Sequence, residues 1–204
     1  MKLKAIDISV FITLLICIIA TASFEKDCRG IREEVLRLHV IANSDEAYDQ
    51  ELKLKVRDAI LQSGEVIFSG CEDIISAQNK ITDKRDVLLH TAEETVKNLG
   101  YDYDIKIEIA RSYFPTRVYD SLTLPAGYYK AVRVIIGEGK GKNWWCIMFP
   151  PLCLPAVTAK ENLIDNFLTD KEMKIVTSDP KIEVRFWLVE KYYHIKNKYF
   201  VETP

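Results

Sequence analysis

Hydrophobic and polar residues follow changing periods along this 204-residue chain. Ile8 to Ala22 is an apolar run without a charged residue, preceded by Lys2 and Lys4. From Val35 to Ile41, Leu36, Leu38 and Val40 alternate with Arg37, His39 and Ile41, which predicts a strand with one apolar and one mixed face. Asn43-Ser44-Asp45 follows, a cluster suited to capping a helix through a side-chain oxygen. Leu52, Val56, Ala59 and Ile60 share one face of a helix predicted over 46–62, with Ser63-Gly64 as its stop. A second amphipathic helix is predicted over 71–99, carrying Ile74, Ala77, Ile81, Leu88, Ala92 and Leu99; Thr82-Asp83 can kink or split it, and Gly100 follows its end. Ile105, Ile107 and Ile109 against Lys106 and Glu108 give a strand over 103–110. The prolines and glycine of 111–128 punctuate a loop or edge strand. Val132, Val134 and Ile136 define a strand over 128–136. Gly137–Asn143 then reads as the turn of a β-hairpin, with 144–149 as its returning strand. Pro150-Pro151 ends that strand, because proline supplies no ladder N–H. Further helices are predicted near 158–168 and 181–196.

These elements predict an α+β fold. A mostly antiparallel sheet contains a central β-hairpin, amphipathic helices pack on one face, and an N-terminal signal or anchor helix precedes them. The first strand can also pair parallel to a later one, since the intervening helices supply a crossover.

The apolar run of 15 residues is shorter than the ~20 that span a bilayer. Its end, Ala20-Thr21-Ala22, fits signal-peptidase cleavage after Ala22. A retained anchor is the alternative, and a buried N-terminal helix the third reading. No small residue precedes Cys17, so a lipoprotein signal is not indicated. The expected organisation is a signal peptide or anchor over 1–23, a linker or short helix over 24–34, and one extracytoplasmic domain over 35–204. Membrane contact runs through residues 1–23 if the leader is uncleaved. The net charge of −2, with no long basic block, gives no case for a nucleic-acid partner.

Candidate chemistry concentrates in Gly137–Leu154, which holds three glycines, Trp144-Trp145, Cys146, Cys153 and two prolines. A phosphate-loop reading fails on count: only three residues separate Gly137 from Gly141, Asn143 replaces the hydroxyl, and a strand follows where a helix is needed. A glycine-rich turn explains the backbone. It does not explain Glu138, Lys142, Asn143, Trp144 and Trp145, which form a candidate contact surface. On a strand the two tryptophans point to opposite faces, so one fills the core while the other is exposed, or both lie under separate layers. Cys146 and Cys153 are close enough in sequence for a reversal to bridge them; two buried thiols are the alternative. No CxxC pair supports a zinc site, and no cofactor is implied. His39, His90 and His194 are scattered, so a nucleophilic Cys146 has no evident base. Glu33/Glu34 and Glu93/Glu94 read as solvated faces. Glu138 is the one carboxylate inside the unusual stretch.

Two blocks resemble a known family. One is Arg37-Leu38-His39-Val40-Ile41-Ala42-Asn43-Ser44-Asp45 followed by 50–58. The other runs from Leu124-Pro125-Ala126-Gly127-Tyr128 through Arg133–Gly139, Gly141–Cys146 and Pro150–Cys153. Together they resemble the stage II sporulation protein R family of endospore-forming bacteria, over roughly 33–155 and the leader. That resemblance implies a signalling protein, not an enzyme. Proteins of that family are made in the forespore and exported into the intermembrane space, and the same is expected here. The expected partner is a membrane-embedded aspartic protease of the mother cell, activated to process the sigma-E precursor. The alternatives are an extracytoplasmic cell-wall hydrolase using Glu138, or a structural septal module.

Overall fold

The computed structural model describes residues 5–119, 122–151 and 167–177, together with Trp187, Glu190, Lys191 and Tyr193. In chain order these form α1 (Ala5–Glu33), β1 (Leu36–Ile41), α2 (Ala47–Phe68), α3 (Ile74–Asp83), α4 (Arg85–Asn98), β2 (Ile105–Phe114), β3 (Arg117–Tyr119), β4 (Leu122–Leu124), β5 (Gly127–Ile136), β6 (Asn143–Phe149) and α5 (Asp170–Val176). The α+β class holds. Four strands form one sheet in the order β2-β5-β1-β6, and β3 and β4 pair only with each other.

The predicted hairpin takes a different form. β6 does run back antiparallel, but β1 lies between it and β5. β1 pairs parallel with β5, Leu36 opposite Lys130 through Ile41 opposite Ile135. It pairs antiparallel with β6, His39 opposite Trp145 and Val40 opposite Trp144. The loop after β5 therefore steps across one strand, which its six residues can span. The parallel pairing of β1 is the crossover that the intervening helices allow. A central strand must shed water on both faces, and β1 is buried at every position except His39.

Alternation along the strands sorts the core into two halves. Leu36, Leu38, Val40, Val132, Val134, Ile136, Cys146 and Met148 meet Leu52, Val56 and Ile60 of α2, Ile81 of α3 and Leu88 and Ala92 of α4. The opposite face carries Tyr129, Ala131, Ile147 and Phe114 against Phe24, Cys28 and Ile31 of α1, Leu122 and Leu124 of β4, and Ile175 and Val176 of α5. Three amphipathic helices thus share one face as predicted, while the second face is covered by the end of α1, the β3–β4 ribbon and α5.

Residues 24–33 continue α1 without a break and place Phe24, Cys28 and Ile31 in that second core. The predicted stop at Ser63-Gly64 does not end α2, which runs on to bury Phe68. A Cβ on Gly64 would sit 3.0 Å from the Met148 side chain, so this glycine admits close approach of helix and strand. The long second helix divides at Lys84, next to Thr82-Asp83, and Asp73 caps α3 by accepting from the Ser76 amide at 2.6 Å. α5 begins in a Thr169/Glu172 capping box, the threonine followed three residues later by glutamate that marks a helix start in sequence. Of the helix predicted over 181–196, Trp187, Glu190, Lys191 and Tyr193 are helical. The one predicted over 158–168 lies almost wholly outside the described residues.

Candidate interaction surface

The two sequence blocks singled out above meet at the end of the sheet. β1 leaves through Ala42 and turns at Asn43-Ser44-Asp45 into α2, and the glycine loop folds over that turn. All six amides from Gly137 to Lys142 are bonded within the protein. Gly137 donates to the Asp104 carbonyl, Gly139 to Ile136, Lys140 to Asn43 and Gly141 to Ala42. Glu138 N–H donates to Asn43 Oδ1 at 2.9 Å and Lys142 N–H to Asp45 Oδ1 at 2.7 Å. No loop amide is left for a phosphate, which independently removes the nucleotide reading. Gly137 and Gly139 adopt φ of +56° and +62°. A Cβ on Gly141 would overlap the Ser44 carbonyl, so the close approach itself demands glycine.

Asp49, in the first turn of α2, holds the other side of the turn. Its Oδ2 accepts from Ser44 Oγ at 2.6 Å and Asn43 Nδ2 at 2.9 Å. Burial alone would raise its pKa; the Ser44 and Asn43 donors outweigh that and hold it below the ordinary aspartate value. Lys53, one turn on, donates to Gln50 Oε1 at 2.6 Å and to the Lys142 carbonyl at 3.1 Å. Burial, with Arg57 and Lys142 nearby, pulls its pKa below the usual lysine value despite Asp45.

The candidate residues separate on this scaffold. Trp144 faces α2, is 36 % exposed, and carries the Arg57 guanidinium 4.3 Å from its ring centroid. Trp145 faces the other way and is half-buried, stacked on His39 with centroids 5.7 Å apart and covered by Arg117 at 4.1 Å. Asn143 Oδ1 lies 2.7 Å from His39 Nε2. Burial lowers the His39 pKa, with Arg133 and Arg37 adding to it and the Asn143 bond opposing. Each tryptophan therefore lies beneath an arginine, on opposite faces of an edge strand. Lys142 is exposed at the rim.

Glu138 is also exposed, and pairs with Lys140 at 2.7 Å. The Lys140 contact lowers its pKa. A glycosidase acid needs the reverse, a carboxyl held protonated in an apolar cleft. Cys146 is disulfide-bonded, whereas Cys17, Cys28 and Cys71 are free; Cys153 lies outside the described residues, as does His194. His90 sits exposed beside Glu94. Among the described residues, no group of three or more His, Cys, Asp or Glu side chains converges to hold a metal ion.

Arg37 lies outside the candidate residues singled out in the sequence. It is fully buried, donates from Nε to the Cys146 carbonyl at 3.0 Å and from Nη2 to Tyr119 Oη, and lies over the rings of Phe114, Tyr129 and Tyr119. Burial depresses its pKa, with Tyr119 and Tyr129 opposing. An arginine inside a run as apolar as Leu36–Ile41 was the available signal.

A family model described as Stage II sporulation protein R matches residues 32–159. The chain is also 36 % identical, over 123 residues, to a protein of Bacillus subtilis (strain 168) named "Stage II sporulation protein R". That alignment covers 60 % of this chain and 55 % of the relative, so the chain spans about half the length of the relative it matches. No solved structure matches. The matched range contains β1, the Asn43–Asp45 turn, the glycine loop and both tryptophans.

Proposed function

The chain belongs to the stage II sporulation protein R family, and on that premise we propose that it is an exported signal between the two compartments of a sporulating cell. It leaves the forespore and acts in the intermembrane space. There it activates a membrane-embedded aspartic protease of the mother cell, which then removes the pro-sequence of the sigma-E precursor. It is an activator in this reading and performs no hydrolysis itself.

Beyond family membership, one observation supports this reading. α1 is long and apolar enough to cross a membrane, and its side chains from Ile8 to Ile19 are exposed, whereas those of Phe24, Cys28 and Ile31 on the same helix are buried in the domain. Such a helix serves as a signal or anchor, and its docked end holds the domain close to the membrane surface where a membrane-embedded partner is reached.

The contact surface in this proposal is the rim formed by Glu138, Lys142, Asn143, Trp144 and Trp145. Binding activates only if the protein binds the active arrangement of the protease more tightly than the inactive one. Trp144 suits the anchor role, being exposed, large and held by Arg57. Trp144→Ala and Trp145→Ala chains, exported at parental levels, are expected to lower sigma-E processing in sporulating cells at least ten-fold. Full processing by both variants would refute the contact surface.

A further inference from the structure

Five of the six buried side-chain polar atoms without a hydrogen-bond partner, among the described residues, belong to β1, β6 and the Thr116-Arg117 entry to the β3–β4 ribbon. They are Arg37 Nη1, His39 Nδ1, Thr116 Oγ1, Arg117 Nε and Trp145 Nε1. Their grouping follows from the fold. Arg37 and His39 are two apart on β1 and share a face. Phe114 contacts both, its ring centroid 4.3 Å from Arg37 Cζ and 5.9 Å from the His39 ring. His39 stacks on Trp145, and Arg117 covers the other side of that indole. Native proteins leave few buried polar groups unpaired, so five together call for a cause.

The missing partner has a definite chemistry. Arg37 Nη1, Arg117 Nε and Trp145 Nε1 can only donate, so the cluster lacks an acceptor. It also lacks negative charge. Among the described residues, no carboxylate lies within ion-pair distance of Arg37 or Arg117. Glu190 reaches this end of the β3–β4 ribbon, but its Oε1 accepts from the Thr116 amide at 2.9 Å. Arg133, the other cation near His39, is already paired with Glu108 at 2.7 Å. A buried guanidinium without a counter-ion is destabilising, and the aromatic rings around Arg37 offset part of that cost.

Access is built in. His39, Thr116, Arg117 and Trp145 are half-buried, and only Arg37 is wholly enclosed. The ribbon bearing Arg117 forms no ladder with the main sheet. The Arg117 side chain can turn off the indole without breaking a backbone hydrogen bond of the sheet.

We propose that the Arg37–His39–Trp145–Arg117 cluster is a receptor for an aspartate or glutamate side chain presented by a segment of the partner protein. The entering carboxylate accepts from Arg117 and from Trp145 Nε1 and supplies the charge that Arg37 lacks. A carboxylate fits better than an apolar anchor, because an apolar group would leave all three donors unpaired. This assignment rests on the signalling reading above and gives the contact surface its partner chemistry. It also divides labour between the tryptophans, Trp144 as a surface anchor and Trp145 as the wall of a charged site.

The test is charge exchange in sporulating cells that carry the full-length chain and the protease. Arg117→Glu, folded by protease resistance and exported at the parental level, is expected to lower sigma-E processing at least ten-fold. Substituting lysine in turn for each extracytoplasmic Asp and Glu of the protease is expected to restore processing to Arg117→Glu at one position or a few adjacent ones. Arg117→Gln, neutral and similar in length, applies the same test if the glutamate variant is not exported; a loss of about three-fold or more is expected of it. Parental processing by the folded Arg117 variants overturns the assignment while the signalling reading stands. Loss that no lysine substitution in the protease restores also overturns it. If the parent chain itself does not activate the protease, the signalling reading falls and takes the assignment with it.

Discussion

Replacing Asp49 with alanine tests whether the Asn43–Asp45 turn and the glycine loop stand as one unit. Asp49 is 1 % exposed, and its Oδ2 serves both Ser44 Oγ and Asn43 Nδ2. Asn43 in turn accepts the Glu138 and Lys140 amides, through its side chain and its carbonyl. A hydrogen bond to a charged group contributes ~1.5–3 kcal/mol, so the two give ~3–6 kcal/mol. Alanine also removes a buried carboxylate whose Oδ1 has no partner, which offsets part of the loss. The net cost expected for Asp49→Ala is about 3 kcal/mol. Asp49→Asn can place its amide nitrogen on the unpartnered side and keep both acceptor bonds in neutral form, at a cost of about 1–2 kcal/mol.

Urea unfolding of the full-length chain in mild detergent measures both, and hydrogen exchange should quicken across the 137–142 amides in the alanine variant. The pH dependence is fixed in sign. The Asp49 pKa is lower folded than unfolded, so its stabilisation is complete above the unfolded aspartate value of about 3.9 and is lost as pH falls through the folded value. The gap between parent and Asp49→Ala should therefore be constant above roughly pH 5 and narrow in acid. A cost below about 1 kcal/mol at neutral pH, or a gap that persists unchanged in strong acid, would refute the coupling of turn and loop.

Gly141→Ala forces a methyl into the Ser44 carbonyl and the Ala42 side chain, neither of which can swing aside; a loss of more than ~2 kcal/mol in urea and depleted exported protein are expected. Glu138→Gln removes only an exposed pair with Lys140, so the urea midpoint should stay at the parental value, and the parent protein should release no fragments from peptidoglycan. Cleavage by the parent that the glutamine variant loses would restore the hydrolase reading. Peptide mapping without reductant is expected to find Cys146 joined to Cys153, and Cys146→Ser to cost ~2.5 kcal/mol for an eight-residue loop; recovery of Cys146 as a free thiol would refute it.

Most element types follow from local chemistry and were legible without coordinates. Alternation at Leu36–Val40 and at Val132–Ile136 specifies strands, because side chains on a strand alternate between faces and one set must leave water. The helical spacing of Leu52, Val56 and Ile60 specifies α2 for the same reason. The glycine loop, the termination of β6 at Pro150 and the division of α3 from α4 near Asp83 rest on backbone preferences that belong to individual residues. The tryptophans' opposite orientation follows from their adjacency on a strand.

Order within the sheet was decided at the tertiary level. Nothing local distinguishes a hairpin from two strands with a third between them, and β1, buried at every position except His39, fills that gap. The role of Gly64 likewise depends on Met148, a residue distant in sequence that packs against it. The contact surface shows the same division. Its residue types stand in Gly137–Trp145, but the arginine over each indole comes from elsewhere, Arg57 from α2 and Arg117 from the ribbon. Glu138, the lone carboxylate of its stretch, is the residue on which the alternative hydrolase reading depends. The folded chain instead sets it at the surface with Lys140 and puts the unpaired charge at Arg37 and Arg117. Long-range pairing brings those side chains together, and no spacing along the chain records it.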